Sequence, residues 1–166
     1  MAARGLRWAL SFWREPAVEP TIDADPARLD RETIYRYLSE ESYWAAGLPR
    51  EVFERSLSHS LCFGAYAADG AQIGFARVIS DQATFAYLAD VFVLPAWRGQ
   101  GVSKRLLVAV LAHPALQNLR RMLLATADAH GLYAQFGFGG LSRPERLMER
   151  LESGVYQRLR GEEERT

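Results

Sequence analysis

Only one cysteine, Cys62, occurs among the 166 residues, which excludes an internal disulfide and any cysteine-rich metal site. It lies in the apolar run Leu61-Cys62-Phe63-Gly64-Ala65-Tyr66, where a buried core thiol is expected rather than a nucleophile. Histidine is almost as scarce, and three scattered copies form no ligand cluster, so no metal is expected. Neither sign of charge is in excess. Twenty basic and twenty acidic residues cancel, which argues against a broad nucleic-acid or membrane footprint. No apolar run approaches the roughly 20 residues that cross a bilayer.

What remains is an ordinary globular composition, 49% hydrophobic and 24% charged, at single-domain length. Residues 1–19 differ from the rest. Arg4, Arg7 and Arg14 alternate there with Leu6, Trp8, Leu10, Phe12 and Trp13. Two readings stand: a targeting or surface-binding helix, and a flexible extension or an early start codon, the latter preferred. The domain is expected over 20–160, followed by a charged tail at 161–166. The expected location is the cytoplasm, as monomer or homodimer.

Within the domain, Thr21–Asp23 reads as a short edge strand. Asp25-Pro26 reads as an N-cap with proline at the first helical position, with Asp30 as a later start. A loop rich in aromatics and acids follows over Ser39–Pro49, then a helix over Glu51–Ser58. Leu61–Ala67 and Gln72–Ile79 flank the Asp69-Gly70 turn and predict a hairpin. Thr84–Val93 is a third strand, apolar on both faces and so buried on both sides. After Pro114, Leu119–Ala125 predicts a strand, Ala129–Phe136 a helix stopped by Gly137, and Phe138–Leu141 a last strand. Pro144–Arg160 is expected to be partly helical.

The third strand runs into Leu94-Pro95-Ala96-Trp97-Arg98-Gly99-Gln100-Gly101-Val102-Ser103, and a helix opens at once. Val102, Leu106, Leu107, Val110 and Leu111 recur at helical spacing, and Pro114 ends the run. Unpaired N–H groups and the peptide dipoles make such a helix start attractive to anions. Gly99 and Gly101 carry no Cβ to hold a diphosphate off the backbone, and Arg98 adds positive charge. A plain strand–loop–helix connection is the other reading of the loop.

The run from Arg98 to Ser103 resembles the acyl-CoA pyrophosphate loop of the GNAT superfamily of N-acetyltransferases, Gln/Arg-x-x-Gly-x-Gly/Ala. Arg98 and Gly101 match, and Ser103 stands where Gly or Ala is usual. A second stretch, Ala129-x-x-Leu132-Tyr133-x-x-Phe136-Gly137-Phe138, resembles the family's Asn-x-x-Ala-x-x-Leu-Tyr-x-x-x-Gly-Phe, with Thr126 in the Asn position. The order of elements over Thr21–Leu141 is also the family's. The aromatic strand Ala83–Phe92 is similar to that of a bacterial subgroup without an assigned substrate.

The resemblance implies an α/β (α+β) GNAT fold, with a mixed, mostly antiparallel sheet flanked by helices and strands that part at the acyl-CoA site. It implies an acetyl-CoA-dependent N-acetyltransferase acting on a primary amine of a small or amino-acid-like acceptor. A non-catalytic acyl-CoA sensor and a protein N-acetyltransferase are the alternatives. The pyrophosphate is implied on Arg98, Gly99, Gln100, Gly101, Val102 and Ser103, and pantetheine on the backbone at Val91 and Val93, where a bulge is expected, and at Thr126.

Tyr133 matches the tyrosine that protonates the departing thiolate; spacing alone favours a packed helix aromatic beside Phe136, and it is the motif that points to the catalytic role. Asp90 is unusual on an apolar strand. It is read as an ammonium receiver, as a base acting through water, or as the partner of an arginine. Tyr43, Trp44, Phe85, Tyr87 and His130 are implied as the acceptor pocket, with Glu40 and Glu41 either beside it or solvated at a helix end.

Overall fold

The computed structural model describes residues 19–163. The reading of the N-terminal extension therefore lies, up to residue 18, outside the described residues. Five strands, β1 (Thr21–Asp23), β2 (Leu61–Tyr66), β3 (Gln72–Ser80), β4 (Phe85–Val93) and β5 (Arg121–Leu124), form one sheet in sequence order. The first four are antiparallel neighbours, in keeping with the mostly antiparallel sheet expected. β5 returns parallel to β4 by way of α3 (Val102–Ala112), the crossover a parallel pair requires.

Each face of the sheet buries a different set of helices. On one face, Ile34 of α1 (Arg31–Arg36) and Phe53 and Leu57 of α2 (Arg50–Ser58) pack with Cys62, Phe75 and Phe92. On the other face, Leu106, Leu107 and Val110 of α3 meet Phe63, Ala76, Val78, Ala86 and Leu88. β3 and β4 are thus covered on both sides, which explains why their sequences are apolar on both faces. Cys62 is 4% exposed, and burial pushes its thiol up to about 11. Native protein is expected to resist a thiol reagent at pH 8 that labels the unfolded chain at once. Rapid labelling of the native protein would contradict this placement.

Asp30, rather than Asp25, starts the first helix. Its carboxylate accepts from the Thr33 N–H at 3.0 Å and from the Thr33 hydroxyl at 2.7 Å. Asp25 caps only a single 3-10 turn, Pro26–Arg28. Beyond α1 the chain does not enter a loop at Ser39 but tightens into a π-helical turn, Tyr37–Glu41, closed by Ser42 N–H to Tyr37 O at 2.9 Å. The Ser42 hydroxyl donates to Leu38 O and accepts from the Ala45 N–H. The Tyr43-Trp44 corner is therefore held from both sides.

The expected strand Phe138–Leu141 does not form, and β5 is the edge of the sheet. Gly139 and Gly140 lose the most backbone entropy on extension and bring no side chain to pack. The helix expected over Ala129–Phe136 is shorter, α4 (His130–Ala134). The C-terminal helix α5 (Val155–Glu163) runs past the expected end at Arg160. No helix among the described residues is long and apolar enough to cross a membrane.

Candidate active site

β4 and β5 pair only from Phe85–Arg121 to Leu88–Leu124. From Ala89 onward the β4 backbone has lost its neighbour on that side, so the strands part as expected. At the same point β4 bulges: Phe75 faces Phe92 and Arg77 faces Ala89, leaving Asp90 and Val91 opposite Ala76 alone. Asp90 takes the left-handed conformation, φ 52°, which Asp tolerates better than most residues. The bulge breaks the alternation, and Phe92 and Val93 are both buried.

Into this gap opens a cleft of about 830 Å3, walled by Val91, Phe92 and Val93 of β4, by the Arg98–Lys104 turn and by Tyr133. An adjoining chamber of about 490 Å3 is lined by Arg77, Tyr87, Asp90 and Thr126. The two share Tyr43, Trp44, Val91, Asp128, Ala129 and Tyr133. Tyr133 thus stands at the junction, 9% exposed, and burial first, then Tyr43 and Asp128, raises its phenol above the ordinary 10.0. Its ring meets Phe138 edge-on at 6.0 Å, across the tight turn that Gly137 (φ 84°) permits.

The glycine loop takes the shape its composition suggests. Gly99 and Gly101 have φ of 73° and 79°, and nothing lies within 4 Å of where their Cβ atoms would be. Gly101 is the N-cap of α3, so the first-turn N–H groups at Val102 and Ser103 border the cleft. Arg98 is braced: Nε donates to Val93 O at 3.1 Å and Nη2 to the Tyr37 hydroxyl at 3.0 Å. The Tyr37 ring in turn stacks on Phe92 at 3.9 Å. A diphosphate would meet open space, helix N–H groups and two cations, Arg98 and the exposed Lys104. These residues fit such a group.

Several expected residues fall elsewhere. The Gln100 side chain donates to Ala96 O at 3.1 Å and lines a separate hollow beside Pro20 and Ile22, so only its backbone belongs to the loop. Thr126 accepts from the Ala129 N–H at 3.0 Å and borders the inner chamber, not the outer cleft. Phe85 is not a pocket wall. Asp81 accepts from the N–H groups of Ala83, Thr84 and Phe85, fixing Phe85 in the turn at the opposite end of β4 from the gap. His130 also misses the pocket, standing exposed as the first residue of α4. Tyr43, Trp44 and Tyr87 do line the inner chamber, and Glu41 borders the outer cleft.

Of the roles open to Asp90, the geometry displays the arginine pair. Oδ2 accepts from Arg77 Nε at 2.6 Å and Oδ1 from the Trp44 indole at 3.1 Å, with both charged side chains nearly buried. Arg77 also donates to the Ser60 hydroxyl at 3.1 Å. Sequence reasoning missed Lys104, one residue beyond the motif. It also missed Asp128, whose chamber position depends on the turn into α4 and leaves no trace in spacing.

A parted sheet with a glycine loop at the mouth of the gap and a buried tyrosine within it defines the acyltransferase class of α/β fold. Residues 27–138 match the acetyltransferase (GNAT) family, and the chain belongs to it. A GNAT-family protein of known crystal structure from Xanthomonas campestris pv. campestris is 54% identical, with a TM-score of 0.80, over 83% of this chain and 96% of that one. A Gibberella zeae protein named a putative acetyltransferase is 33% identical over 135 residues, 69% of this chain and 75% of that protein. A GNAT family protein from Streptococcus pneumoniae, 24% identical, shares the fold at a TM-score of 0.60 over 80% and 96% of the two chains.

Proposed function

We propose that the protein moves an acetyl group from acetyl-CoA to a primary amine of a small molecule, with Tyr133 as the general acid. The observation that carries this reading is the position of Tyr133, on the wall shared by the glycine-loop cleft and the inner chamber. In this reading the diphosphate rests on the Gly99–Ser103 backbone, with Arg98 and Lys104 beside it. The pantetheine arm runs along the free edge of β4 and carries the thioester to the junction. The Asp90–Val91 bulge turns backbone toward the carbonyl oxygen, where an N–H donor stabilises developing negative charge. The amine enters from the inner chamber. Holding both reactants at one junction supplies much of the rate by positioning alone.

A thermal melt tests the first half of this reading. A ligand that binds only the folded chain stabilises it by about 2.7 kcal/mol at a hundredfold excess over Kd, roughly 5–10 °C for a protein of this size. Acetyl-CoA and CoA are expected to give that rise and ATP little. Gly101→Val puts a β-branched residue at φ 79°, which costs about 1–2 kcal/mol and fills the anion cradle. The variant is expected to fold with a slightly lower midpoint that no longer responds to acetyl-CoA. An unchanged response would remove the loop from the binding site.

A further inference from the structure

The inner chamber is selective in its charges as well as its shape. Among the described residues its only lining cation is Arg77, held by Asp90 and Ser60 and 14% exposed at its side chain. Its second carboxylate, Asp128, makes no hydrogen bond or ion pair with the described residues, and it stands on the wall shared with the outer cleft beside Tyr133. Around it large apolar surface is left open. Trp44 is 41% exposed, Tyr43 meets it edge-on at 5.0 Å, and Ile79 and Tyr87 complete the far side. Rings that could have packed into the core are instead held over a concavity. Trp44 is fixed there by its indole bond to Asp90, and the Tyr43 hydroxyl accepts from the Ala127 N–H at 3.2 Å.

Resting on the acetyltransferase reading, we propose that the acceptor is a primary amine on an apolar, aromatic-sized body that carries no carboxylate or phosphate of its own. Its ammonium sits on Asp128 and its body lies against Trp44, Tyr43 and Tyr87. An ammonium between a carboxylate and aromatic faces is favoured twice, by the charge and by the ring quadrupoles. A carboxylate or phosphate on the acceptor would find no free cation among the described residues that line the chamber, would face Asp128, and would be desolvated without compensation.

The step balances as follows. The ammonium gives one proton to water beside Asp128, and the freed nitrogen lone pair attacks the thioester carbonyl carbon. The C–N bond forms and the C–S bond breaks. The Tyr133 proton goes to sulfur, and the remaining surplus proton on nitrogen returns to Tyr133 through water. Amide, CoA thiol and one proton to solvent are the products.

The test uses the full chain with acetyl-CoA and a thiol reagent that reads CoA release. The acceptors are 2-phenylethylamine, phenylalanine, spermidine and glucosamine 6-phosphate. Calorimetry of each acceptor in the presence of CoA reads binding without turnover. The expected result is a kcat/KM for 2-phenylethylamine at least about tenfold above the other three, one charge-assisted contact being worth that much. Asp128→Asn is expected to raise its KM about tenfold, while the KM for acetyl-CoA stays put. Trp44→Phe, which keeps an aromatic face but loses half of the indole and its bond to Asp90, is expected to bind better than Trp44→Ala. Faster turnover of any of the other three acceptors would overturn the substrate class and leave acetyl transfer standing. Binding of 2-phenylethylamine that weakens in Asp128→Asn without CoA release would keep the chamber assignment and sink the acetyltransferase reading. Absence of both binding and turnover of 2-phenylethylamine at millimolar concentration would overturn the proposal.

Discussion

Tyr133→Phe is expected to lower kcat by about a hundred- to a thousandfold, the usual worth of a positioned general acid, with little change in either KM. The ring is what packs: it is nearly buried and meets Phe138 edge-on, and phenylalanine keeps both contacts. Only the hydroxyl is lost, so the melting midpoint is expected to move by no more than a few degrees. Burial holds the phenol above its ordinary 10.0, so it keeps its proton at neutral pH. The same desolvation acts on a thiolate forming beside it, which makes that thiolate a stronger base than it would be in water. Donor and acceptor therefore stay matched. The sign of the pH dependence follows. The acid form is complete below the ordinary phenol value and is lost only as pH rises through the higher folded value. Wild-type kcat is expected to carry an alkaline limb above about 10 that Tyr133→Phe lacks. Equal rates for the two proteins across pH would remove Tyr133 from the acid role and leave positioning as the source of rate.

How much of this was legible in the residues depends on whether a local rule governed them. The Asp69-Gly70 turn was, because Gly70 at φ 87° is a demand of the turn itself. So was α3, whose apolar spacing, glycine start and proline stop agree at every level. The bulge at Asp90 was legible only through the family resemblance. Nothing in Ala89-Asp90-Val91 states that one residue of β3 faces two of β4. The π-helical turn at Tyr37–Glu41 was not legible, since it is imposed by Tyr37 packing on Phe92 and by Ser42 bonding back to Leu38, contacts made only after the sheet exists. Phe138–Leu141 looked like a strand by composition, but a strand needs an edge that rewards it, and the two glycines bring nothing to β5. In the site, motif spacing singled out the loop and Tyr133, and the two border one cleft. Phe85 and His130 fall outside the chamber: β4 is nine residues long and Phe85 lies at the end away from the gap, while His130 is the exposed first residue of α4.

Asp90 and Arg77 form the second place where a large effect is expected. The pair joins β4 to β3 directly across the bulge, ties in Ser60 before β2, and reaches the corner after α1 through Trp44. Removing one partner leaves a nearly buried charge unmatched, which costs about 3 kcal/mol, or roughly 10 °C in the melting midpoint at this chain length. Asp90→Asn and Arg77→Gln are each expected to show a loss of that order and a marked fall in kcat, because the bulge that places the β4 backbone and the Trp44 wall both lean on the pair. Asn keeps the tolerance for φ 52°, so the backbone conformation itself does not explain the loss. The double variant restores a neutral, hydrogen-bonded match. Its midpoint is expected to lie above that of either single variant, because exchanging both charges of a buried pair costs far less than stranding one, and its kcat to recover to within roughly tenfold of wild type. A catalytic base predicts something else. If Asp90 took the proton from the amine, the double variant would regain its midpoint and stay as slow as Asp90→Asn, since an amide cannot accept that proton. Rate and stability recovering together identify a positioning pair, and stability recovering alone returns Asp90 to the chemistry.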